Sequence, residues 1–275
     1  MKWFVLLLTL ALLLSLQFGF AVDVDEKGKD QSGRQAVVIK TKQYEVHWKK
    51  GAQMGYSAAF WGDSKESIIG GGQGRNLYHS SNYAGWKDWG ALIDVEVLEK
   101  GGGKAVVKYV SSDGLNKEYT CVATYYDDVN WIKHEVTVTA KGADVTSFQN
   151  GHEPMFEPRT PLVKDFKQWA TPYPHVAYWT TEGHFAALYG EKATNARAFP
   201  AWAPNGRMDL VHDGLGKKVK KGETSEPIVY YIAFGEGKDK EADALTEKVL
   251  QEVKPGTVSS YRKLSITWGD VKSSY

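Results

Sequence analysis

This sequence of 275 residues has little of several features that assign a protein class directly. It holds one cysteine, Cys121, so neither an intrachain disulfide nor a cysteine-rich metal site can form. Lys and Arg total 34 against 33 Asp and Glu. This balance removes the electrostatic attraction that drives nonspecific binding to nucleic acids and anionic membranes. We therefore expect no nucleic-acid partner.

Local motifs of catalysis and cofactor binding are also missing. The seven histidines show no His-x-His or His-Glu-x-x-His spacing, which gives no signal for a zinc site. The glycine run at 70–74 lacks the Lys-Ser/Thr pair of a phosphate-binding loop, and no Gly-x-Ser-x-Gly elbow is present. The sequence thus predicts no metal and no cofactor.

The long apolar run of the sequence is at its N-terminus, where residues 3–16 follow Lys2. Gly19 and Ala21 place small residues three and one before a cleavage point, as in secretory signal peptides. An uncleaved membrane anchor is the alternative, because spanning a bilayer takes roughly 20 apolar residues. We predict a signal peptide over residues 1–21, a flexible charged tether over 22–35, and a secreted or periplasmic protein without membrane contact after cleavage.

Short β-type runs separated by Gly, Asp and Asn fill the sequence from residue 36. In 93–98 and 132–138 every second residue is apolar, which is typical of antiparallel strands with one buried face. Turn residues at 100–103, 112–116 and 127–130 join four such runs into a meander over 91–140. Further strands are predicted at 36–42, 44–48, 57–61, 175–181, 184–190, 208–212, 227–235 and 258–268.

One segment has the pattern of a helix. Ala242, Leu245, Val249 and Val253 fall at helical spacing before Pro255, which predicts a helix over 238–253. The fold class is therefore all-β, an antiparallel β-sandwich with one late helix, in a single domain over residues 36–275.

Two stretches break the strand rhythm, at 69–90 and at 148–174. The first mixes Gly, polar and aromatic residues without periodicity, and the second contains five prolines, which lack the N–H that strand pairing uses. Long loops in a compact domain are usually functional or disordered, and these are too aromatic to favour disorder. We expect functional residues in both.

The layout as a whole resembles the galactose-mutarotase-like β-supersandwich. It has an opening strand at 44–51, a glycine-rich break, the meander over 91–140, a Gly-His-Glu segment with aromatic strands, and a late helix. The resemblance covers roughly residues 36–253 and implies the fold found in aldose epimerases and in domains of polysaccharide lyases and glycosidases. The recognisable local motifs of aldose epimerases are absent here.

Aldose epimerases use a His as general acid and a Glu as general base. His152 and Glu153 are adjacent, so in a strand their side chains would point to opposite faces and would not form that pair. A pair from distant segments, such as His184 with Glu157, stays open.

The segment 151–159 brings an imidazole, two carboxylates and a guanidinium together in sequence. His152 is suited to proton transfer and Arg159 to bidentate binding of a carboxylate, which are groups that β-elimination on a uronate sugar needs. Loop-ordering ion pairs among Glu153, Glu157 and Arg159 are the alternative. The predicted catalytic residues are His152, Arg159, His175, Tyr178 and His184.

A strand over 175–181 would place His175, Ala177 and Trp179 on one face. Aromatic rings bind sugars by stacking, so this face is predicted to line a glycan groove, with sandwich core as the alternative. A second aromatic and polar cluster at 75–89 would form the opposite wall, or simply a well-packed loop. The predicted substrate-binding residues are Trp179, Glu157, Arg75, Tyr83, Trp86 and Trp89.

Together these features favour a secreted carbohydrate-active protein whose partner is a glycan or polysaccharide. A polysaccharide lyase acting on a uronate-containing glycan is preferred over an aldose-epimerase-like enzyme. A non-catalytic extracellular glycan-binding protein is the main alternative, so the sequence leaves open whether the protein is an enzyme.

Overall fold

A computed structural model describes residues 22–51, 55–69, 77–82, 87–88, 90, 92–145, 149–158, 160–212 and 218–253, of which 77–82, 87–88, 149–153 and 250–253 are described by their backbone. In this part of the chain no helix is long and apolar enough to cross a membrane.

The described residues form three antiparallel sheets and one helix. The four-stranded sheet has the order β1-β2-β3-β4. Its strands are β1 (Asp23–Asp25), β2 (Ala36–Lys40), β3 (Tyr44–Lys49) and β4 (Gly55–Trp61). The five-stranded sheet comprises β5 (Leu77–Asn82), β6 (Lys87–Asp88), β11 (Gln149–Phe156), β15 (Asn195–Phe199) and β16 (Arg207–Val211). Its order is β15-β16-β11-β5-β6.

The eight-stranded sheet is the largest element of the fold. It comprises β7 (Leu92–Gly101), β8 (Lys104–Ser112), β9 (Lys117–Tyr126), β10 (Trp131–Ala140), β12 (Val163–Trp169), β13 (His175–Thr180), β14 (His184–Tyr189) and β17 (Ile228–Glu236). Its order is β12-β13-β14-β17-β10-β9-β8-β7. The helix, α1, runs over Asp239–Val253 and follows β17.

The predicted all-β class with one late helix is confirmed. The meander is present as β7 to β10, with each strand paired antiparallel to the next. Gly102, Gly103 and Gly114 have positive φ in its turns, as the turn residues predicted. The strand predicted at 258–268 lies outside the described residues.

The segment predicted as a flexible tether is ordered from residue 22 onward. Val22 is fully buried in the main core, and β1 pairs with β2 over three residues. The side chain of Asp30 accepts hydrogen bonds from the backbone N–H groups of Ser32 and Arg34. These contacts attach parts of residues 22–35 to the fold, and the domain boundary at residue 36 stays a prediction.

The two stretches predicted as loops contain strands. Residues 77–82 and 87–88 form β5 and β6, and the second stretch forms β11 and β12. Pro154 lies in β11 before Met155 and Phe156, the residues that pair with β16, so its missing N–H does not interrupt that pairing. Their irregular composition concealed these strands, because it lacks the alternation of apolar and polar residues that marks a half-buried strand.

The main core lies between the inner face of the eight-stranded sheet and the two smaller sheets. It contains a chain of hydrogen bonds in which the hydroxyl of Tyr125 contacts those of Tyr56 (2.8 Å) and Tyr109 (2.9 Å). Tyr56 Oη also lies 2.9 Å from Nε2 of His134. The His134 ring stacks on Tyr230, and burial lowers the pKa of His134 to about 3, so it is neutral at pH 7.

The outer face of the same sheet receives α1 on a row of small residues. Ala177, Ala187 and Ala233 pair across β13, β14 and β17, and we call them the alanine row. Large side chains flank the row on both sides, namely Trp179, Phe185, His175, Tyr189 and Tyr231. Ala242, Leu245 and Val249 of α1 pack into the same buried cluster. Small residues let the helix approach the sheet, while the flanking rings enclose its sides.

Candidate functional site

The aromatic face predicted to bind glycan lies beneath α1. Trp179 is 8% exposed and belongs to the cluster that α1 covers. His175 is fully buried, with Nε2 2.9 Å from Asp243 Oδ1 on α1 and Nδ1 2.9 Å from the carbonyl oxygen of Tyr173. The ring of Trp169 stacks on His175 at 4.6 Å. The helix therefore occupies the place that the sequence assigned to a sugar.

Tyr178 points to the opposite face of β13. It is fully buried in the main core, where its hydroxyl donates to the carbonyl oxygen of Ile68 at 2.7 Å. Burial raises the pKa of the Tyr178 phenol well above its usual value. The structure thus separates Tyr178 from His175 by the thickness of the sheet, and the two do not line one cleft.

His184 lies at the other end of the β13–β14 hairpin from His175. His175 pairs with Tyr189 at the end of β14, whereas His184 begins β14 and pairs with Glu236. The side chain of His184 is partly exposed, and its backbone N–H donates to Thr180 Oγ1. The three predicted catalytic residues of this hairpin are therefore not brought together.

The segment 151–159 enters the five-stranded sheet. His152 and Glu153 are consecutive in β11, where they pair with Ser81 and Ser80 of β5. Glu157 follows β11 directly and is 3% exposed. The other predicted site residues, Arg159, Arg75, Tyr83, Trp86 and Trp89, lie outside the described residues, so their roles stay predictions.

A cluster of arginine and aromatic side chains occupies the outer face of this same sheet. In β16, Met208 and Leu210 enter the main core, so the alternating residues Arg207 and Asp209 point away from it. Asp209 pairs with Arg197 of β15 on one side and with Met155 of β11 on the other. The cluster therefore adjoins the strand that carries the 151–159 segment.

Asp209 is held between two guanidinium groups. Nε of Arg197 donates to Asp209 Oδ1 at 2.6 Å, and Nη2 of Arg207 lies 3.4 Å from Asp209 Oδ2. The Asp209 side chain has no solvent exposure. Burial raises its pKa above the ordinary value, against the opposing effect of the two arginines.

Arg207 is enclosed by two aromatic rings. Its Cζ lies 4.4 Å from the ring centroid of Phe199 and 4.3 Å from that of Trp202. These distances are within the range of cation–π contacts. Trp202 is 46% exposed, so its other face is open to solvent. We call Arg197, Phe199, Trp202, Arg207 and Asp209 the Trp–Arg cluster.

Two buried polar atoms of the cluster make no hydrogen bond within the described residues. They are Nε of Arg207, a donor, and Oδ2 of Asp209, an acceptor. Buried polar groups are satisfied in the great majority of native structures, so such a pair points to a polar ligand group. A hydroxyl group matches it, since one hydroxyl can accept from a guanidinium and donate to a carboxylate.

Sequence reasoning missed the Trp–Arg cluster. A signal existed in the alternation Arg197-x-Phe199 and Arg207-x-Asp209, because residues two apart share one face of a strand. Among the described residues no group of three or more His, Cys, Asp or Glu is arranged to hold a metal ion.

Comparison with known proteins yields structural similarity only. No protein-family model and no curated protein sequence matches this chain. Among solved structures, the galactosidase domain of the alpha-galactosidase-sucrose kinase AgaSK aligns at TM-score 0.53 and 10% identity, covering 78% of this chain and 42% of that one.

Two glycoside hydrolase family 36 enzymes of Geobacillus stearothermophilus give similar values. The alpha-galactosidase AgaA, in complex with stachyose, aligns at TM-score 0.53 and 8% identity over 83% of this chain and 44% of its own. AgaB aligns at TM-score 0.50 and 8% identity over 78% and 41%. The chain thus spans less than half the length of these structures. At such identities the similarity shows a shared β-sandwich fold that also occurs within carbohydrate-active enzymes.

Proposed function

We propose that this protein binds carbohydrate at the Trp–Arg cluster, on a galactose-mutarotase-like β-supersandwich. The observation that carries the proposal is the half-exposed ring of Trp202, which stacks on the guanidinium of Arg207 beside the buried carboxylate of Asp209. Aromatic rings stack on the C–H faces of sugars, and a few fixed polar groups orient them. The shared fold with alpha-galactosidase structures supports the proposal at the level of architecture.

A uronate-containing glycan is the ligand that fits this site best. The guanidinium groups of Arg197 and Arg207 lie on one face of the sheet, and guanidinium groups bind the carboxylate of a uronate through charge-assisted hydrogen bonds. In the same proposal, residues 1–21 are a signal peptide and the protein meets its glycan outside the cytoplasm.

Polysaccharide lyase activity is the second candidate, favoured by the two arginines that lie beside Asp209. In β-elimination a base removes the proton on the carbon next to the uronate carboxylate. The bond from the neighbouring carbon to the glycosidic oxygen breaks, a carbon–carbon double bond forms, and the leaving oxygen takes a proton. The arginines would stabilise charge on the carboxylate, and the buried Asp209 would hold both guanidinium groups in place.

The test combines binding with product analysis on a panel of polygalacturonate, alginate, hyaluronan and neutral galactan. We expect measurable affinity for at least one uronate polymer and a loss of about 10–100-fold in Trp202→Ala, from the roughly 1–3 kcal/mol that burial of one large side chain contributes. Leu115→Ala is the matched control, because Leu115 is a 73% exposed apolar residue in the turn between β8 and β9.

Each outcome separates the candidates. New absorbance from unsaturated ends would identify a lyase. Binding without such ends would identify a glycan-binding protein. Binding that Trp202→Ala leaves unchanged, or no binding to any polymer of the panel, would refute the assignment of the Trp–Arg cluster.

A further inference from the structure

Strand β12 lies at the edge of the eight-stranded sheet, next to β15 at the edge of the five-stranded sheet. Its residues alternate between two neighbours. Lys167 and Trp169 face α1, where Lys167 Nζ forms a 2.8 Å ion pair with Asp239. Phe166 and Gln168 point the other way, toward the strands that carry the Trp–Arg cluster. Strand β12 therefore contacts α1 with one side and the strands of the Trp–Arg cluster with the other.

Phe166 packs directly under the turn that carries Trp202. Gly206, the residue before Arg207, has φ of +86°, and a Cβ placed there would lie 2.4 Å from Cε2 of Phe166. The N–H of Gly206 donates to the carbonyl oxygen of Trp202 at 2.6 Å and closes the turn. Both the backbone conformation and the close ring contact require glycine at this position. The Phe166 ring thus limits how closely the turn between β15 and β16 can approach β12.

Gln168 holds the other strand of the cluster. Its Oε1 accepts a hydrogen bond of 2.8 Å from the backbone N–H of Ala198. Ala198 lies between Arg197 and Phe199, two members of the cluster. The Gln168 side chain therefore fixes the position of β15 relative to β12. The Phe166 ring does the same for the turn that carries Trp202.

We propose that Phe166 and Gln168 are positioning residues for the Trp–Arg cluster, a role that rests on the proposed function only for its consequence in glycan binding. The guanidinium of Arg207 contacts two rings at 4.3 and 4.4 Å, one from β15 and one from the turn. The two segments meet at Arg207, and β12 contacts both of them, through Gln168 on β15 and through Phe166 on the turn. Loss of either support separates the rings, exposes Arg207 and removes the flat surface that Trp202 presents.

The first readout is the environment of Trp202 in the free protein. In protein labelled with 5-fluorotryptophan, the resonance that is absent from Trp202→Phe reports on this ring. We expect Phe166→Ala to shift and broaden that resonance, Phe166→Leu to do so less, and Gln168→Leu to produce a smaller shift. Lys167→Ala is the matched control, because it changes the same strand on the side of α1 and should leave the resonance in place.

The second readout is affinity for the uronate polymer that the wild-type protein binds. Phe166→Ala should lower this affinity about as much as Trp202→Ala does, with recovery in Phe166→Leu. An unchanged Trp202 resonance in folded Phe166→Ala or Phe166→Leu protein would overturn the proposal, as would an equal effect of Lys167→Ala. If the wild-type protein binds no glycan, the proposed function fails, while the fluorine spectra still decide whether β12 positions the cluster.

Discussion

Two surfaces of this protein are rich in aromatic side chains, and they have opposite surroundings. On the outer face of the eight-stranded sheet, Trp179, Phe185 and Tyr189 border the alanine row and are buried under α1. On the five-stranded sheet, Phe199 and Trp202 border a guanidinium and leave Trp202 46% exposed. Aromatic residues alone therefore do not distinguish a buried core from a candidate site. The neighbouring residues distinguish them, because small apolar residues allow a helix to pack on the surface whereas charged residues favour contact with water.

The largest expected effect tests whether the covered face is core. Trp179→Ala should lower the free energy of unfolding by about 3–5 kcal/mol, the usual cost of removing a buried Trp. Urea denaturation measures this loss, and affinity for glycan should remain at the wild-type value. Full stability combined with lost glycan affinity would show instead that Trp179 is accessible and that α1 does not cover it.

Acid should lower the free energy of unfolding through the buried core, where His134 is held neutral, and not through the Trp–Arg cluster. The pKa of His134 is lowered by burial to about 3, so the unfolded chain takes up a proton from about pH 6.5 downward while the folded protein does not. The stability contributed by neutral His134 is present above that range and is lost as pH falls toward 3. Between pH 7 and 4.5 the loss should be about 2.5 kcal/mol, from 1.36 kcal/mol per pKa unit.

The same acid titration has the opposite sign at Asp209. Its folded-state pKa is raised, so its protonation favours the folded state as pH falls, and this contribution is lost as pH rises through the folded pKa. His134→Gln keeps an acceptor for Tyr56 and should reduce the dependence of unfolding free energy on acid, whereas Asp209→Asn should increase it. If the free energy of unfolding depends on pH equally in wild type and in His134→Gln, His134 is not the group that makes the folded protein sensitive to acid.

A smaller effect tests the role of the alanine row. Ala187→Leu should destabilise the protein by about 1–3 kcal/mol, because the added side chain occupies the space of α1. Val122→Leu provides the control on the half-buried outer face of β9, away from the helix, and should change stability by less than about 0.5 kcal/mol. Comparable losses in thermal unfolding for both variants would remove the distinction between covered and uncovered parts of this face.

The smallest stability effect is expected at the open cluster. Trp202→Ala should lower the free energy of unfolding by about 1 kcal/mol or less, the usual worth of an exposed cation–π contact, since half of the ring is already in water. Chemical denaturation of this variant beside Trp179→Ala gives the direct contrast between the two surfaces. A loss of several kcal/mol in Trp202→Ala would class the cluster with the core.

Local patterns in the sequence predicted most of the large sheet. The alternation in 132–138 and the turn residues at 100–103 correspond to β10 and to the β7–β8 turn. The spacing of Ala242, Leu245 and Val249 predicted both the helix and the face that it buries. The strands β5, β6, β11 and β12 were missed because their sequences lack a regular alternation, and β15 was missed although Arg197 and Phe199 alternate with small residues.

The site was less predictable than the fold. Trp179 and His175 were chosen for their chemistry, but the sequence pattern could not show that α1 covers them. Trp202 and Arg207 come together through a turn that rests on Phe166, forty residues or so earlier in the chain. The uncharged Ala and Gly at positions 177, 187, 233 and 235 did carry the relevant signal, because a sheet lined with small residues is prepared for a helix.

The sequence by itself determined which segments alternate, where the turns fall and where the helix begins and ends, because these depend on interactions between residues close along the chain. Tertiary structure decided which face of each strand is covered and which side chains meet. The contacts of Asp209 with Arg197 and of Arg207 with Trp202 depend on how β15, the following turn and β16 are held against β12. Such contacts arise from packing between distant segments, and no local periodicity encodes them.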